Sequence, residues 1–363
     1  MTIKEICQEF QIGGEYVSCE EVPTGHINGT FLVHFIRDGE KKHYIVQHIN
    51  RQVFKVPEDV MENIINVTHH VRQNVRKSGL STKRFVLRAF KTKEDKPYVI
   101  DENGEYWRCY RYIANSTTYD TTEDLSIIER VGQAFGRFQQ FLSDYQADTL
   151  NITIPDFHNT KKRYDTFKEA IKLDPKRRVK NVTKEIEELL SFEEKATELQ
   201  SYLDRGEIPL RVTHNDTKCN NVSFDKTTGE ALAVLDLDTV MCGAVAHDFG
   251  DAIRFVTNTL PEDNPDVNNV KMDVEKYTAF AKGFLGELKG TLTDLEFNSL
   301  NLGAFAMTVE VAVRFLTDYI LGDVYFKTKY PGHNLDRARN QTALAKDMLL
   351  KMDAMDNILQ QFK

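Results

Sequence analysis

Near the middle of the chain, residues 210–224 read LRVTHNDTKCNNVSF. The apolar start of this stretch predicts a strand. The polar residues after it form the pattern His-x-Asp-x-x-x-x-Asn, whose fixed positions are His214, Asp216 and Asn221. A second apolar stretch, ALAV at 231–234, is followed by Asp236. With KTTGE between them, the two stretches predict a β-hairpin that has polar side chains near its open end.

The spacing of this hairpin suggests a chemical role for its polar residues. A two-residue turn at Thr228-Gly229 would place Asn221 opposite Asp236, with Cα atoms roughly 5 Å apart. An amide oxygen and a carboxylate suit Mg²⁺, which usually takes one or two carboxylates and substrate phosphates. Asp216 could accept a proton from an attacking hydroxyl. The pattern predicts phosphoryl transfer on a kinase-like scaffold, the alternative being that these residues only cap turns.

The rest of the sequence predicts an α+β protein with two lobes. Residues 1–113 are β-rich, with one helix from Pro57 to about Gly79. The strands are predicted at 16–23, 30–37, 43–49, 85–90, 97–100 and 105–113. Residues 114–363 are mainly helical, with helices at 123–145, 159–172 and 180–203 and from 247 to the end. This predicts a bilobal, protein-kinase-like fold with a β-rich N-terminal lobe and a helical C-terminal lobe.

Composition excludes several classes of protein. The 363 residues include 47 Lys and Arg and 55 Asp and Glu, a formal charge of −8, which argues against nucleic-acid binding. Charges interrupt every long apolar stretch, so no membrane-spanning helix is predicted. The first ten residues contain charges and lack the apolar core of a signal peptide. Five widely spaced cysteines without a C-x-x-C pair indicate reduced thiols in a cytoplasmic protein and no zinc site.

Three segments of the first lobe are candidates for nucleotide binding. The loop GHINGT at 25–30 could bring backbone N–H groups to phosphates, or it could be an ordinary turn. Gln47 stands where a kinase strand carries its lysine, and glutamine supplies no positive charge. A non-catalytic pseudokinase is therefore an alternative. The segment RCYRYI at 108–113 lies at the lobe junction, where Arg111, Tyr112 and Ile113 are predicted adenine contacts or members of a core strand.

Taken together, the motifs resemble the aminoglycoside-phosphotransferase and choline-kinase branch of the protein-kinase-like fold. More specific blocks are similar to bacterial N-acetylhexosamine 1-kinases. These blocks are GHINGTF at 25–31, RVTHNDTK at 211–218, LDLDT at 235–239, DFGDAIRF at 248–255, RFLTDY at 314–319 and GDVYF at 322–326. They extend over nearly the whole chain. Those kinases also carry glutamine at the position of Gln47, which makes this residue compatible with activity.

The resemblance implies an enzyme that uses ATP and Mg²⁺ to phosphorylate the anomeric hydroxyl of N-acetylglucosamine or N-acetylgalactosamine. We expect this enzyme to be a monomer. The resemblance also implies that Asp216 is the base. From the hairpin we predict that Asn221 and Asp236 hold the metal, and from the loop and the third strand that Gly25, Asn28, Thr30 and Gln47 contact the nucleotide. The resemblance implies five sugar contacts, at His26, Asp238, Phe255, Arg314 and Tyr325. A kinase for another sugar, choline or an aminoglycoside is the alternative within the enzyme class.

Charged residues in the helical lobe allow two interpretations. Glu310, Arg314 and Asp318 are spaced i, i+4 and i+8 on a mostly apolar helix predicted over 304–320. They could form an intrahelical ion ladder, or Arg314 could project into the sugar pocket. Asp248 is predicted to brace the catalytic loop. His43, His69, His70 and His158 are predicted to be surface or helix histidines without a metal role.

Overall fold

The computed structural model of the protein describes residues 1–22 and 28–363. Gly25 and His26, predicted contacts of phosphate and sugar, lie outside the described residues. Internal packing divides the chain into two compact units. Unit 1 contains Met1–Thr117, Asp144–Pro155 and Val222–Met241, and unit 2 contains Thr118–Ser143, Asp156–Asn221 and Cys242–Lys363. Unit 1 therefore includes the hairpin that the sequence places in the second lobe.

Unit 1 is built on an antiparallel sheet. Its helices are α1 (Ile3–Glu9) and α2 (Pro57–Lys77). The sheet strands are β1 (Glu15–Glu21), β2 (Gly29–Arg37), β3 (Glu40–Ile49), β4 (Ala89–Phe90), β5 (Val99–Ile100) and β6 (Tyr106–Arg111). They run in the order β1-β2-β3-β6-β4, and β5 also pairs with β6. A smaller sheet contains β7 (Ser116–Thr117), β9 (Val222–Asp225) and β10 (Ala231–Val234). Pairing of β9 with β7 joins the hairpin to unit 1.

Local signals explain most of these elements. Asp38 and Gly39 both have positive φ, 54° and 78°, as the tight turn between β2 and β3 requires. Pro57 begins α2, and Gly79 follows its end at φ 74°. Helix α1 was not predicted, although Thr2 and Glu5 form a capping box at its start.

The predicted turn of the β9–β10 hairpin, Thr228-Gly229, is wrong. The backbone N–H of Asp225 donates to the carbonyl oxygen of Glu230 at 2.9 Å, so four residues form the loop. The carboxylate of Asp225 explains the difference, because it accepts the backbone N–H groups of Thr227 and Thr228 at 2.7 and 2.8 Å. This side-chain turn replaces the two-residue turn.

The loop changes the register of the hairpin. Val222 faces Val234, after an irregularity in the pairing. Continued by one residue, this register leads from Asn221 to Leu235. The predicted direct pairing of Asn221 with Asp236 is therefore also wrong. Both residues still flank the open end of the hairpin in the chain.

Unit 2 is mainly helical. Its helices are α3 (Leu125–Phe141), α4 (Thr160–Leu173), α5 (Thr183–Ser191), α6 (Glu193–Ala196), α7 (Glu198–Asp204), α8 (Val245–Val256), α9 (Val274–Glu287), α10 (Asp294–Asn298), α11 (Leu300–Leu321), α12 (His333–Leu350) and α13 (Met352–Gln360). The helix predicted over 180–203 is divided into α5, α6 and α7. Strand β8 (Arg211–Thr213) pairs with β11 (Met241–Gly243).

Helix α11 forms the centre of unit 2. Among the described helices, only α11 is long and apolar enough to cross a membrane by length and composition, and 83% of its most apolar stretch is buried inside the protein. It packs against α4, α8 and α12. These contacts identify it as a core helix.

Helices α8 and α11 approach each other at two glycines. A Cβ atom on Gly250 would lie 2.4 Å from the carbonyl oxygen of Gly303, so the backbones can touch only because neither residue has a side chain. Helix α8 carries Asp248 and Asp251. The close packing therefore fixes the position of two carboxylates that face the loop after β8.

Candidate active site

The loop after β8 holds the predicted base. Asn215 has φ 66°, a left-handed conformation that costs energy in most residues but that asparagine tolerates. It is followed by Asp216, whose two carboxylate oxygens have different partners. One lies 2.7 Å from the ammonium nitrogen of Lys218, and the other accepts the side-chain amide of Asn221 at 3.2 Å. The carboxylate is thus oriented by its own loop and remains partly exposed.

Two buried carboxylates of α8 hold this loop. Asp248 accepts the backbone N–H groups of His214 and Asn215 at 2.9 and 2.8 Å, and the side-chain amide of Gln139 at 2.7 Å. Burial raises the pKa of Asp248, and these hydrogen bonds oppose that rise. Asp251 accepts the backbone N–H of Thr217 at 2.9 Å. The predicted bracing by Asp248 is confirmed.

His158 joins the catalytic loop to helix α11. The prediction of a surface or helix histidine is wrong, since the side chain is only 7% exposed and the residue lies in a turn before α4. Its Nε2 atom lies 3.1 Å from the carbonyl oxygen of Asn215, and its Nδ1 atom lies 3.1 Å from the carboxylate of Glu310. Both ring nitrogens therefore face acceptors. Burial raises the pKa of Glu310, but the charges of His158 and Arg314 outweigh it and the pKa is lowered.

Asn221 has the donor atom that a magnesium site needs. Its side-chain N–H groups donate to the backbone oxygen and the carboxylate of Asp216, at 2.8 and 3.2 Å. These bonds fix the orientation of the amide, so its oxygen is the atom left for a cation. Within the described chain, no cluster of three or more His, Cys, Asp or Glu side chains could hold a metal by itself. A cation held by an amide and a carboxylate would need phosphate oxygens to complete its coordination.

Asp236 has an unusual backbone conformation. Its φ and ψ are 53° and 61°, a left-handed conformation directly before the short 3-10 helix Leu237–Thr239. Such strain in a residue other than glycine is concentrated at functional sites. The conformation supports a metal-binding role, which remains a prediction.

Asp238 forms a buried ion pair with Arg108 inside unit 1. The two guanidinium NH₂ groups contact the two carboxylate oxygens, with a distance of 2.9 Å between Nη2 and Oδ2. The side-chain amide of Asn28 also donates to Asp238, at 2.6 Å. These bonds engage the carboxylate fully, and its predicted contact with a sugar remains untested.

Gln47 and Thr30, both predicted near phosphates, are in contact. The side-chain amide of Gln47 donates to the hydroxyl oxygen of Thr30 at 3.0 Å. The amide oxygen of Gln47 accepts the Nε–H of Arg108, also at 3.0 Å. Gln47 is thus linked to a charged side chain on the neighbouring strand.

The predicted adenine contacts follow one another at the end of β6. Arg111 is the last residue of the strand, and its backbone N–H donates to the carbonyl oxygen of Arg88 at 2.9 Å. Ile113 is buried in a cluster with Leu232 and Ala233. All three side chains are buried, so Ile113 belongs to the core, and its contact with adenine stays a prediction. Tyr112, between them, lies with its ring 5.7 Å from that of His43.

Arg314 lies in an aromatic environment in unit 2. Its guanidinium carbon is 5.9, 6.0 and 5.5 Å from the ring centres of Phe157, Tyr325 and Phe326. Among the described residues, no carboxylate lies within ion-pairing distance of it, so the ion ladder, one of the two interpretations of this helix, is not formed. Arg314 and Tyr325, two of the predicted sugar contacts, therefore lie next to each other, and their contact with a sugar stays a prediction. Phe255 is half-buried on α8, and in the described chain no ring or side-chain hydrogen-bond contact joins it to these two residues.

Asp318, the third member of the predicted ladder, has another role. Its carboxylate accepts the backbone N–H groups of Val324, Tyr325 and Phe326, each at 2.9 Å. It thereby holds the segment that brings Tyr325 to Arg314. Glu310 pairs instead with His158 and with the hydroxyl of Thr160, at 3.1 and 3.0 Å.

Three residues that contact these groups have no predicted role. Lys218 lies within the catalytic motif, but neither a base nor a metal role requires it. Arg108 faces Gln47 in the register of β3 and β6, and this cross-strand pairing could have revealed it. His158 is 152 residues from Glu310 in the chain, so no local pattern could have revealed this contact.

A prediction concerns the bracing of the loop. Asp248→Asn should lower the free energy of unfolding by about 1–3 kcal/mol, because the new NH₂ group would face N–H donors in a buried site. It should also lower kcat, since Asn215 and Asp216 would shift together. Denaturant unfolding and steady-state kinetics measure the two effects, with the exposed Asp294→Asn as a matched control. Unchanged unfolding would show that Asp248 does not brace the loop.

Comparison with known proteins gives the same fold. Residues 18–270 match the model of APH, a phosphotransferase enzyme family. Similar structures include a microcompartment-associated aminopropanol kinase (13% identity, 97% of each chain covered, TM-score 0.59). A choline kinase from Cryptosporidium parvum Iowa II is 14% identical, with 99% of this chain and 96% of that chain covered and a TM-score of 0.57. Spectinomycin phosphotransferase, in complex with ADP and spectinomycin, is 13% identical, with 97% of each chain covered and a TM-score of 0.53. The predicted bilobal, protein-kinase-like α+β fold is confirmed.

Proposed function

Because this chain belongs to the phosphotransferase enzyme family, we propose that it is an ATP- and Mg²⁺-dependent kinase that phosphorylates the anomeric hydroxyl of N-acetylhexosamines. At the coarser level it is a small-molecule phosphotransferase of this family. The observation that carries the proposal is the loop in which Asp216 is oriented by Lys218 and Asn221. Phosphoryl transfer needs little covalent chemistry from the protein, so orientation is its main contribution.

Each residue of the loop has a role in the proposed mechanism. The carboxylate of Asp216 accepts the proton of the sugar hydroxyl as that oxygen attacks. The amide oxygen of Asn221 and the carboxylate of Asp236 are the residues that would hold Mg²⁺, which would neutralise negative charge on the ATP phosphates. Asp248 and His158 position the loop through Asn215.

The acceptor is inferred from the resemblance to N-acetylhexosamine 1-kinases and from the group around Arg314. A half-buried guanidinium without a carboxylate partner favours oxygen acceptors, such as hydroxyl and acetamido oxygens. The rings of Phe157 and Tyr325 beside it can pack against the apolar face of a sugar. Helix α11 places Arg314 one turn from Glu310, which pairs with His158. His158 in turn contacts the catalytic loop, so these groups belong to one connected region of unit 2.

A kinase for an amino alcohol or an aminoglycoside is the second candidate, because two of the similar structures are an aminopropanol kinase and a choline kinase. The charge near Arg314 disfavours it. Arg163 also lies close to Arg314: burial and the charge of Arg314 lower the pKa of Arg163, and its Nη2–H donates to the carbonyl oxygen of Phe157 at 2.7 Å. Two neighbouring guanidinium groups would repel a cationic acceptor.

We further propose that the protein is a cytoplasmic monomer. All five cysteines are free. Burial raises the pKa of the Cys7 thiol to about 12, and it also raises that of Cys109. Both thiols are thereby kept protonated and unreactive.

The proposed function predicts the product and the preferred acceptors. With Mg-ATP, N-acetylglucosamine and N-acetylgalactosamine should become sugar 1-phosphates, and glucose and galactose should be poorer acceptors. A site that bonds the acetamido group leaves buried polar atoms unpaired when that group is missing. Loss of the reducing end together with phosphorus NMR of the product measures the outcome. Phosphate on carbon 6, or transfer to choline but to neither acetamido sugar, would contradict the assignment.

Arg314→Ala separates the acceptor from the nucleotide in the same assay. It should raise KM for the sugar about tenfold, the effect of losing a hydrogen bond from a charged group, and change KM for ATP much less. Arg337→Ala is the matched control, because Arg337 also lies over a ring of unit 2, with its guanidinium carbon 5.2 Å from the ring centre of Phe315. Equal changes in the KM values for the sugar and for ATP would show that Arg314 does not contact the sugar.

A further inference from the structure

Three polar side chains form a row across the sheet of unit 1. Thr30 on β2 faces Gln47 on β3, and Gln47 faces Arg108 on β6. Hydrogen bonds of 3.0 Å connect each neighbouring pair. The amide of Gln47 is thus held at both ends, with its oxygen toward Arg108 and its nitrogen toward Thr30. In the described chain, the second hydrogen of that nitrogen has no acceptor.

Arg108 is a permanent, buried charge at the end of this row. Its side chain is 1% exposed, and its guanidinium contacts both carboxylate oxygens of Asp238. The guanidinium carbon lies 5.1 Å from the centre of the Tyr110 ring. Burial acts to lower the pKa of Arg108, but Asp238 outweighs it, with a smaller effect from Asp236, and the pKa is raised above its usual range.

The row explains why this chain has no lysine at position 47. In kinases, the lysine of this strand pairs with the nucleotide phosphates. A lysine at Gln47 would bring a second positive charge next to the buried guanidinium of Arg108, and like charges in a buried site repel strongly. A neutral glutamine at position 47 is therefore compatible with a buried Arg108, whereas a lysine is not. In this chain the positive charge of the row lies on β6, at Arg108, beside the position of the kinase lysine on β3.

We infer that Arg108 replaces the kinase lysine and acts on the nucleotide phosphates through Gln47. The Nε–H of Arg108 polarises the amide of Gln47, because hydrogen bonds in a chain strengthen one another in a low-dielectric interior. The remaining N–H of Gln47 then becomes a stronger donor toward an anionic phosphate oxygen. Arg108 is a positioning residue in this arrangement. The inference rests on the proposed use of ATP but does not depend on the identity of the acceptor.

A purely structural ion pair between Arg108 and Asp238 would behave differently. Its loss would lower the affinities for adenosine and for ADP by the same factor, or would change neither affinity. If Arg108 acts on the phosphates through Gln47, its loss lowers the affinity only for ligands that carry phosphates. Comparison of ADP with adenosine therefore separates the two roles without any phosphoryl transfer.

The experiment is isothermal titration of Mg-ADP and of adenosine into the full chain. Gln47→Leu cuts the row and leaves the ion pair of Arg108 in place; Arg108→Met removes the charge. Both variants should bind ADP about tenfold more weakly or worse, and adenosine within about twofold of the unchanged protein. Arg84→Met is the matched control, because Arg84 pairs with Asp225 in the same unit, and it should change neither affinity. Circular dichroism checks that each variant is folded. If Arg108→Met does not fold, the affinities of Gln47→Leu for ADP and adenosine decide the test.

A charge swap gives a second, independent result. Gln47→Lys should weaken ADP binding in the presence of Arg108, whereas Gln47→Lys combined with Arg108→Gln should recover most of it. ADP affinity that is unchanged in Gln47→Leu, an equal loss of adenosine affinity, or additive effects in the double variant would each overturn the inference. Loss of ADP affinity in a protein that phosphorylates no sugar would keep the inference and refute the proposed acceptor.

Discussion

Replacing Asp216 with asparagine is expected to lower kcat about 10²- to 10⁴-fold, the usual contribution of a positioned base. Asparagine keeps the shape of the side chain, so the hydrogen bond with Asn221 has a partner in the variant. It cannot accept a proton at neutral pH, and it also loses the ion pair with Lys218. The affinity for ADP should stay within about twofold, since the proposed nucleotide contacts are in other parts of the chain.

Steady-state kinetics and ADP titration measure these two effects. Asp204→Asn is a suitable control, because Asp204 also pairs with a lysine, Lys161, in the same unit, but at the surface. The Asp204→Asn variant should have the same kcat and the same affinity for ADP as the unchanged protein. A variant of Asp216 that retains more than about a third of the original turnover would show that this carboxylate is not the base.

The elements that were predicted correctly depend on short distances along the chain. The strand β8 and the loop that carries Asp216 were predicted because an apolar run and a polar motif follow each other within a few residues. Helix α2 was found because Pro57 and Gly79 mark its ends. In both cases local sequence carries the physical signal, whether through backbone conformation or through the spacing of side chains.

The wrong predictions concern partners that folding brings from elsewhere. Glu310, Arg314 and Asp318 have the spacing of an ion ladder, but they interact with other parts of unit 2. Glu310 contacts His158, and Asp318 binds three backbone N–H groups of the segment after α11. Bonds from fixed backbone donors cost less side-chain entropy than a ladder between flexible side chains. A helical period alone cannot reveal such competition.

The hairpin shows how one side chain can shift a register. The pattern around Thr228-Gly229 is typical of a two-residue turn, but Asp225 binds two N–H groups of the loop and extends it. Because side chains alternate along a strand, even a small shift changes which residues face each other. The roles predicted for Asn221 and Asp236 do not require a direct pair, since a cation is held by side-chain atoms.

Replacing Asp236 with asparagine should raise the Mg²⁺ concentration for half-maximal activity at least tenfold. Changes in groups that only orient a metal ligand already cost about 10- to 100-fold in metal affinity, and the carboxylate is the more highly charged of the two proposed ligands. Asparagine is the right substitution because Asp236 has φ 53°, and asparagine tolerates the left-handed region. The loss can then be assigned to charge and not to the backbone.

The measurement is initial rate against Mg²⁺ at fixed ATP, with Asp238→Asn as the matched control. Asp238 lies two residues further on, and its carboxylate is engaged by Arg108 and Asn28. Its replacement should change nucleotide affinity through Arg108 while the Mg²⁺ dependence at saturating ATP stays close to that of the unchanged protein. If Asp236→Asn has an ordinary Mg²⁺ requirement, or if Asp238→Asn has the larger shift, the metal is bound by Asp238 or by neither carboxylate, and the left-handed conformation of Asp236 requires another explanation.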